Sequence, residues 1–332
     1  MVLQRRALTG GLALGLAALV SGLPSAPASA QAPAGYPGRT IRFVVPYAPG
    51  GLPDTVARVI AQRLQEKVGQ SVVVENKPGA NGAVAAAAIS QGAADGYTFL
   101  VTDGSMFSIN PRIYVKLDYN PSRDFMPVAL IARAPLFLAA VPGLPASSLA
   151  DFVAYVKANP GKVNYGSSGI GSTHHLTMEA LKAEYKLDMV HVPFKGTGQS
   201  VPALVGGQVQ VLWSAYPSLA GFVKDNRVKL LATNGAKRSP QAPDVPAVAE
   251  SIAGFDFAPI VGILAPAGTP KGIVDRIAAE VVAVTAMPET QRQLAAAGIE
   301  AVGGGSDDYA KAIADENARM ARAVEAAGIK PE

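Results

Sequence analysis

The sequence predicts an α/β fold in two domains, each a mostly parallel sheet flanked by helices. Short apolar runs alternate with segments of helical periodicity, and this alternation completes one round and then restarts in the middle of the chain. The chain has 332 residues of which 16% are charged, and that length and composition suit two cores better than one.

In the first round, "IRFVVPY" reads as a strand. Val56, Val59, Ile60 and Leu64 recur at helical spacing, and Gly69 stops that helix. "SVVVEN" is the next strand, "NGAVAAAAISQGA" an alanine-rich helix, and "YTFLVTDG" a third strand. The pattern restarts after "MPVALIARA". "PLFLAAV" is a strand, "SLADFVAYVKANPGK" a helix closed by Pro160 and Gly161, and "VNYGSSGIGSTHHLTMEALKAEY" a strand, glycine loop and helix. "MVHVPF", "VQVLWSA" and "VKLLATNG" follow as strands with short helices between them. After the Pro-rich "KRSPQAPDVPAVAE" comes one long apolar strand, "FAPIVGILAPAGTP", and helices with no full sheet of their own, so this part is expected to return to the first domain. The reading is a domain 1 of residues 31–133 plus 255–332, a domain 2 of residues 134–254, and two crossing segments that act as a hinge.

Residues 1–30 are set aside as a cleavable export signal: Arg5 and Arg6, an apolar run, and small residues ending at Ala28 to Ala30. The run is shorter than the ~20 residues a bilayer core requires and has no basic residues on its far side, which argues against a membrane helix. The Arg5-Arg6 pair matches a twin-arginine signal only in part, so Sec and Tat export both stay open. A soluble periplasmic protein is expected. Cysteine is absent, which excludes disulfides, thiolate metal sites, a cysteine nucleophile and a lipid-modified cysteine anchor. Removing Arg5 and Arg6 takes Lys+Arg from 29 to 27 against 25 acidic residues, a near-balance that does not suggest a nucleic-acid partner.

Each domain carries one junction where a strand enters a glycine-rich turn and then a helix: "YAPGGLPDT" and "GSSGIGSTHH". Ligands of open α/β sheets sit outside the carboxyl ends of strands, where both loops lie. Helix starts present unpaired N–H groups and partial positive charge, so two facing loops form a pincer for a carboxylate without any cationic side chain. The alternative for Gly50, Gly51, Gly169 and Gly171 is that they only make tight turns. Neither loop has the spacing of a P-loop or of a dinucleotide fingerprint, and no cofactor is expected.

Segments across nearly the whole chain, among them "YPGRTIRFVVPYAPGG", "VVVENKPGANG", "ADGYTFLV", "INPRIY", "MVHVPFKG", "LVGGQVQV" and "GILAPAGTPKGIVDRI", resemble the Bug (TctC-like) family of periplasmic solute-binding receptors of tripartite tricarboxylate transporters. The resemblance implies a two-domain periplasmic binding protein of the Venus-flytrap, type II-like kind. Such a protein closes on a small organic anion, a mono- or dicarboxylate, held between the two loops partly through ordered water. It implies ligand contacts at Pro49, Gly50, Gly51 and Asp54, at Ser168, Gly169, Gly171, Ser172 and His174, and at Lys195 and Gly196. Physical reasoning adds the N–H groups of Gly51 and Gly171 and the hydroxyls of Ser168, Ser172 and Thr173 as donors, with Asp54 orienting water or capping its own helix. The partners implied are membrane permease subunits or, alternatively, a membrane sensor; a monomer is expected.

Two departures bear on the ligand. Gln210 and Ser214 stand where many relatives have Asp, and Phe107 where relatives often have a polar residue, so an amino-acid ligand is disfavoured. Tyr47, Phe107, Trp213 and Tyr216 are either walls of a pocket for an aromatic or longer aliphatic carboxylate or members of the core. A hydrolase with Ser168 or Ser172 as nucleophile and a histidine as base lacks the G-x-S-x-G elbow. A metal site at His174-His175 lacks helical ligand spacing, since adjacent helical residues point apart. The chain is therefore expected to bind without a catalytic step.

Overall fold

A computed structural model describes residues 32–47 and 49–331; the export segment lies outside the described residues. The first sheet holds β1 (Ile41–Val45), β2 (Val72–Asn76), β3 (Thr98–Asp103), β4 (Phe125–Arg133), β10 (Ile260–Pro266) and β11 (Glu300–Gly304), in the order β11-β4-β10-β3-β1-β2. The second holds β5 (Leu136–Ala140), β6 (Asn164–Ser167), β7 (Val190–Pro193), β8 (Val211–Ala215) and β9 (Lys229–Thr233), in the order β7-β6-β8-β5-β9. Helices α1 (Leu52–Val68), α2 (Ala83–Ser90), α9 (Lys271–Thr285) and α10 (Pro288–Ala296) belong to the first sheet, together with the single turns α3 (Ser105–Ser108) and α4 (Asn110–Ile113). Helices α5 (Leu149–Ala158), α6 (Thr173–Tyr185), α7 (Thr197–Val205) and α8 (Tyr216–Lys224) belong to the second, and α11 (Ser306–Ala326) closes the chain.

The expected mostly parallel sheets are mixed. β1 pairs in parallel with β2 and β3, and β6 with β7 and β8, as βα crossovers require. β10 runs antiparallel to β3 and β4, β11 to β4, and β5 to β8 and β9. The reason is connectivity: β5 and β10 each enter a sheet along a crossing segment, with no helix behind them to turn the chain around.

Helix α1 shows how local sequence sets an element. It starts at Gly51 with Pro53 in its first turn and ends at Gly69 in the left-handed region (φ +69°). Its buried stripe of Val56, Ile60 and Leu64 packs with Ile41, Phe43 and Val45 of β1 in the first core. The second core gathers Leu138, Phe152, Tyr165, Leu176 and Trp213. Met320, Ala323 and Val324 of α11 join that second core, although Tyr309 of the same helix lies in the first lobe against Leu100 and Leu264. The last helix, expected with the first domain, thus spans both.

The two crossings are tied to each other by Asn234, which is fully buried. Its Oδ1 accepts from Leu136 N (2.7 Å) and its Nδ2 donates to Phe257 O (2.9 Å), while Ala134 N donates to Pro259 O (2.9 Å). Both connections therefore run side by side between the lobes.

In the middle of the fully buried β10, Gly262 admits the ring of Tyr309: a Cβ there would meet Tyr309 Cζ at 2.4 Å and Ala129 O at 2.6 Å. Gly262→Ala is expected to destabilise the protein by about 1–3 kcal/mol through overpacking. A thermal melt followed by circular dichroism measures it, and an unchanged midpoint would show that the Tyr309 ring retreats at little cost.

Candidate functional site

The carboxyl ends of the parallel strands in both sheets open onto one cleft of about 710 Å³. Its floor is Ala134, Leu136 and Pro259, the two crossing segments themselves. Its walls are the starts of helices α1, α6, α7 and α8, with Asp103 at the end of β3 and the turn Ala297 to Ile299 before β11. No Lys or Arg is among the described residues that line it.

The first loop is built on Asp54. This carboxylate is 2% exposed, and Oδ2 accepts from Gly50 N (2.9 Å) and from Arg58 Nε (2.9 Å). Oδ1 accepts from Asn76 Nδ2 (2.8 Å), which also donates to Tyr47 O (3.0 Å). Burial alone would raise the Asp54 pKa, but the bonds from Arg58, Gly50 and Asn76 outweigh it and hold the carboxyl below its ordinary value. Both oxygens are engaged and Asp54 is not among the cleft-lining residues; its backbone donor is Gly50 N, ahead of the helix, so it braces the loop rather than capping a first-turn N–H. Gly50 takes a left-handed conformation (φ +82°), which the turn requires, and Pro49, Gly50 and Gly51 line the cleft.

The second loop differs from the expectation in one respect. Gly171 N donates to His175 Nδ1 (3.2 Å) and Gly169 N to Ser167 Oγ (3.1 Å), so these N–H groups are engaged within the loop. Ser172 Oγ caps α6, accepting from His175 N (3.3 Å) and donating to Gly169 O (2.7 Å). Ser168 Oγ lies 3.0 Å from His174 Nδ1. The residues this loop brings to the cleft are Thr173 and His174, the first turn of α6. Gly171 is buried, a Cβ there would meet Ile113 Cδ1 at 3.0 Å, and its φ of +73° favours glycine.

Gly196 lines the cleft with Thr197 and Gly198, at the start of α7. Lys195 is exposed and is not among the cleft-lining residues. The aromatic wall is corrected as well. Phe107 is 6% exposed and packs edge-on against Phe125, and Trp213 is 1% exposed in the second core. Tyr216 packs on Phe137, which leaves Tyr47 as the aromatic side chain of the cleft. Gln210 precedes β8 at the end away from the cleft and accepts from Asn164 N (2.8 Å), so an acid missing there does not alter the cleft. Sequence reasoning missed Asp103, Asn76, Thr197 and Ser218. Their signal was positional, since each stands at the end of a strand or the start of a helix.

The three histidines are held neutral. Burial pushes His174 down to about 4, and burial together with the neighbouring His175 pushes His191 down to about 4. His175 and His191 stack with ring centroids 3.9 Å apart, and Tyr165 stacks on His191 at 4.8 Å. Ser167 Oγ lies 2.7 Å from His191 Nε2, but Ser167 is 1% exposed. Among the described residues no carboxylate is hydrogen-bonded to His174 or His191, so neither Ser/His pair has the third group that orients a base. No cluster of three or more potential metal-ligating side chains occurs among the described residues.

Comparison with known proteins gives a consistent result. Residues 56–329 match the family described as "Tripartite tricarboxylate transporter family receptor". BugT of Bordetella pertussis is 32% identical over 308 residues, 92% of this chain and 94% of that protein. Among solved structures, Rpa4515 of R. palustris with adipate is 34% identical with a TM-score of 0.78, covering 90% of this chain and 100% of that one. MatC of Rhodopseudomonas palustris with bound malate is 32% identical with a TM-score of 0.72, covering 87% and 100%.

Two outcomes are expected from this geometry. Trp213→Ala costs about 3–5 kcal/mol of stability, the usual result of emptying a buried aromatic site; a small change in the denaturation midpoint would return Trp213 to the cleft wall. Imidazoles of the unfolded chain take up protons near pH 6.5, whereas His174 and His191 resist until about pH 4. The stabilisation present above pH 6.5 is therefore lost as pH falls through that window. Urea midpoints measured from pH 7 to 4.5 should fall, and less steeply in His191→Gln.

Proposed function

The chain belongs to the tripartite tricarboxylate transporter family of receptors, and on that premise we propose that it captures a small organic carboxylate in this cleft, in the periplasm, and delivers it to a membrane permease. The observation that carries the reading is the convergence of four helix starts on a cleft whose described lining has no cationic side chain. Each start offers first-turn N–H groups without a partner inside its helix and about half a positive charge. A carboxylate, with two oxygens able to accept several such donors, is the group these walls complement. The relatives that hold adipate and malate support the same class.

The mechanism follows from the two-lobed arrangement. Starts α1 and the Asp54-held loop come from one lobe, and α6, α7 and α8 from the other. An anion reaching donors on both sides gains contacts only when the lobes approach, and that differential contact favours the closed form. The permease then distinguishes loaded from empty receptor by the closed surface. Export rests on the segment of residues 1–30, with its Arg5-Arg6 pair and small-residue end.

A thermal-shift screen of the mature chain, freed of carried ligand by unfolding and refolding, tests the reading. A carboxylate present at 100 times its dissociation constant adds about 2.7 kcal/mol to stability. Gly198→Val, placed where a Cβ meets nothing within 4 Å, should keep the fold but weaken that ligand at least about tenfold by covering the α7 start. Silence across mono-, di- and tricarboxylates and aromatic acids would sink the proposal.

A further inference from the structure

Asp103 is the one acidic side chain among the described residues lining the cleft. We propose that it decides which carboxylates the cleft accepts: it takes an uncharged hydrogen-bond donor, such as a hydroxyl, at the ligand end remote from the carboxylate, and disfavours a second carboxylate there. The inference rests on the carboxylate reading and narrows it to monoanions with a polar, uncharged far end.

Tyr47 OH donates to Asp103 Oδ1 (2.8 Å), and Ser105 N donates to the same oxygen (3.0 Å). Both of these bonds fall on Oδ1, and Oδ2 is the atom assigned to a ligand. An ionised carboxylate only accepts hydrogen bonds, so a hydroxyl satisfies it and a carboxylate does not. No lysine or arginine in the described lining offsets the repulsion.

Burial raises the Asp103 carboxyl above its ordinary value, while the bonds from Tyr47 and Ser105 pull it down and favour its charged form. Behind it the Glu316 carboxyl packs against Gly104 so closely that a Cβ on that glycine would lie 2.0 Å from Glu316 Oε2. Glu316 is 3% exposed; its Oε1 accepts from Ser108 Oγ (3.3 Å) and its Oε2 has no partner among the described residues. Burial, with Asp103 as the next cause, pushes Glu316 up to about 8, so Glu316 keeps its proton at neutral pH. Of the two carboxyls, Asp103 is the one with donors from Tyr47 and Ser105, and the pair's single charge belongs there.

Charge balance points the same way. Four helix starts supply roughly +2 in total, at about half a charge each. Ionised Asp103 cancels about one of these, and what remains matches a single carboxylate. The largely apolar walls between, including Leu52, Leu136, Pro217 and Ile299, suit an aliphatic or aromatic body joining the two ends.

Isothermal titration calorimetry at pH 7 with hexanoate, ω-hydroxyhexanoate and adipate tests this, because the three share one chain and differ only at the far end. The wild-type protein should bind ω-hydroxyhexanoate at least about tenfold more tightly than adipate. Asp103→Asn retains an acceptor for Tyr47 but removes the charge, and should erase that preference by tightening adipate at least about tenfold more than it tightens hexanoate. Asp103→Ser, read by the same ratio, guards against a folding defect peculiar to Asn. A wild-type preference for adipate, or adipate affinity that does not rise in either variant, overturns the inference and leaves the carboxylate reading intact. Failure of all three probes to bind any of the proteins overturns both.

Discussion

The binding role proposed for this cleft depends on one constraint, the placing of N–H groups at helix starts. Four helices begin at the carboxyl ends of strands, and their first residues line one space of about 710 Å³. A lysine or arginine would deliver more charge, but on a flexible stem whose ordering costs entropy. Backbone donors are fixed by the helix itself, so recognition rests on geometry that the fold has already set. That places a demand on the loops, because a strand-to-helix turn that shifts would carry its donors away.

Each loop meets the demand differently. In the first, one buried carboxylate does the holding: Asp54 joins Gly50, Arg58 and Asn76, and Asn76 reaches on to the carbonyl of Tyr47. One side chain thus ties the loop and α1 to the end of β2. In the second, the hydroxyls of Ser167, Ser168 and Ser172 turn inward onto the loop and its histidines. Beneath them His175, His191 and Tyr165 form a stack of flat rings, whose burial favours neutral imidazoles. The described lining of the cleft thus has no cationic side chain, and what positive charge it has is the partial charge of its helix starts.

The segments that join the lobes also line the cleft. Ala134, Leu136 and Pro259 are both floor and crossing, and Asn234 binds the two crossings into one ribbon. Helix α11 adds a third link, with Tyr309 in one core and Met320 in the other. A ligand bound there as proposed would touch the elements that set the relation between the lobes.

Most of the architecture was legible in one dimension. The alternating strand and helix patterns, the restart after β4 and the two glycine loops follow from local periodicity and turn chemistry, which depend on near neighbours. Seven of the candidate residues, Tyr47, Pro49, Gly50, Gly51, Thr173, His174 and Gly196, line the cleft for the same reason: a strand–turn–helix junction announces itself in sequence. What the tertiary structure alone decided is orientation and partnership. Whether Trp213 and Phe107 face ligand or core depends on which side of a sheet each lies and what packs above it. Whether Gly171 offers its N–H to a ligand depends on His175 claiming it. Whether Asp103 has a second carboxyl near it depends on Glu316 of the last helix reaching Gly104 across more than two hundred residues. Sequence alone determined which elements form and that their glycine-rich junctions could hold an anion; which donors stay free to do so is settled by long-range packing, because burial and hydrogen-bond partners exist only once distant segments meet.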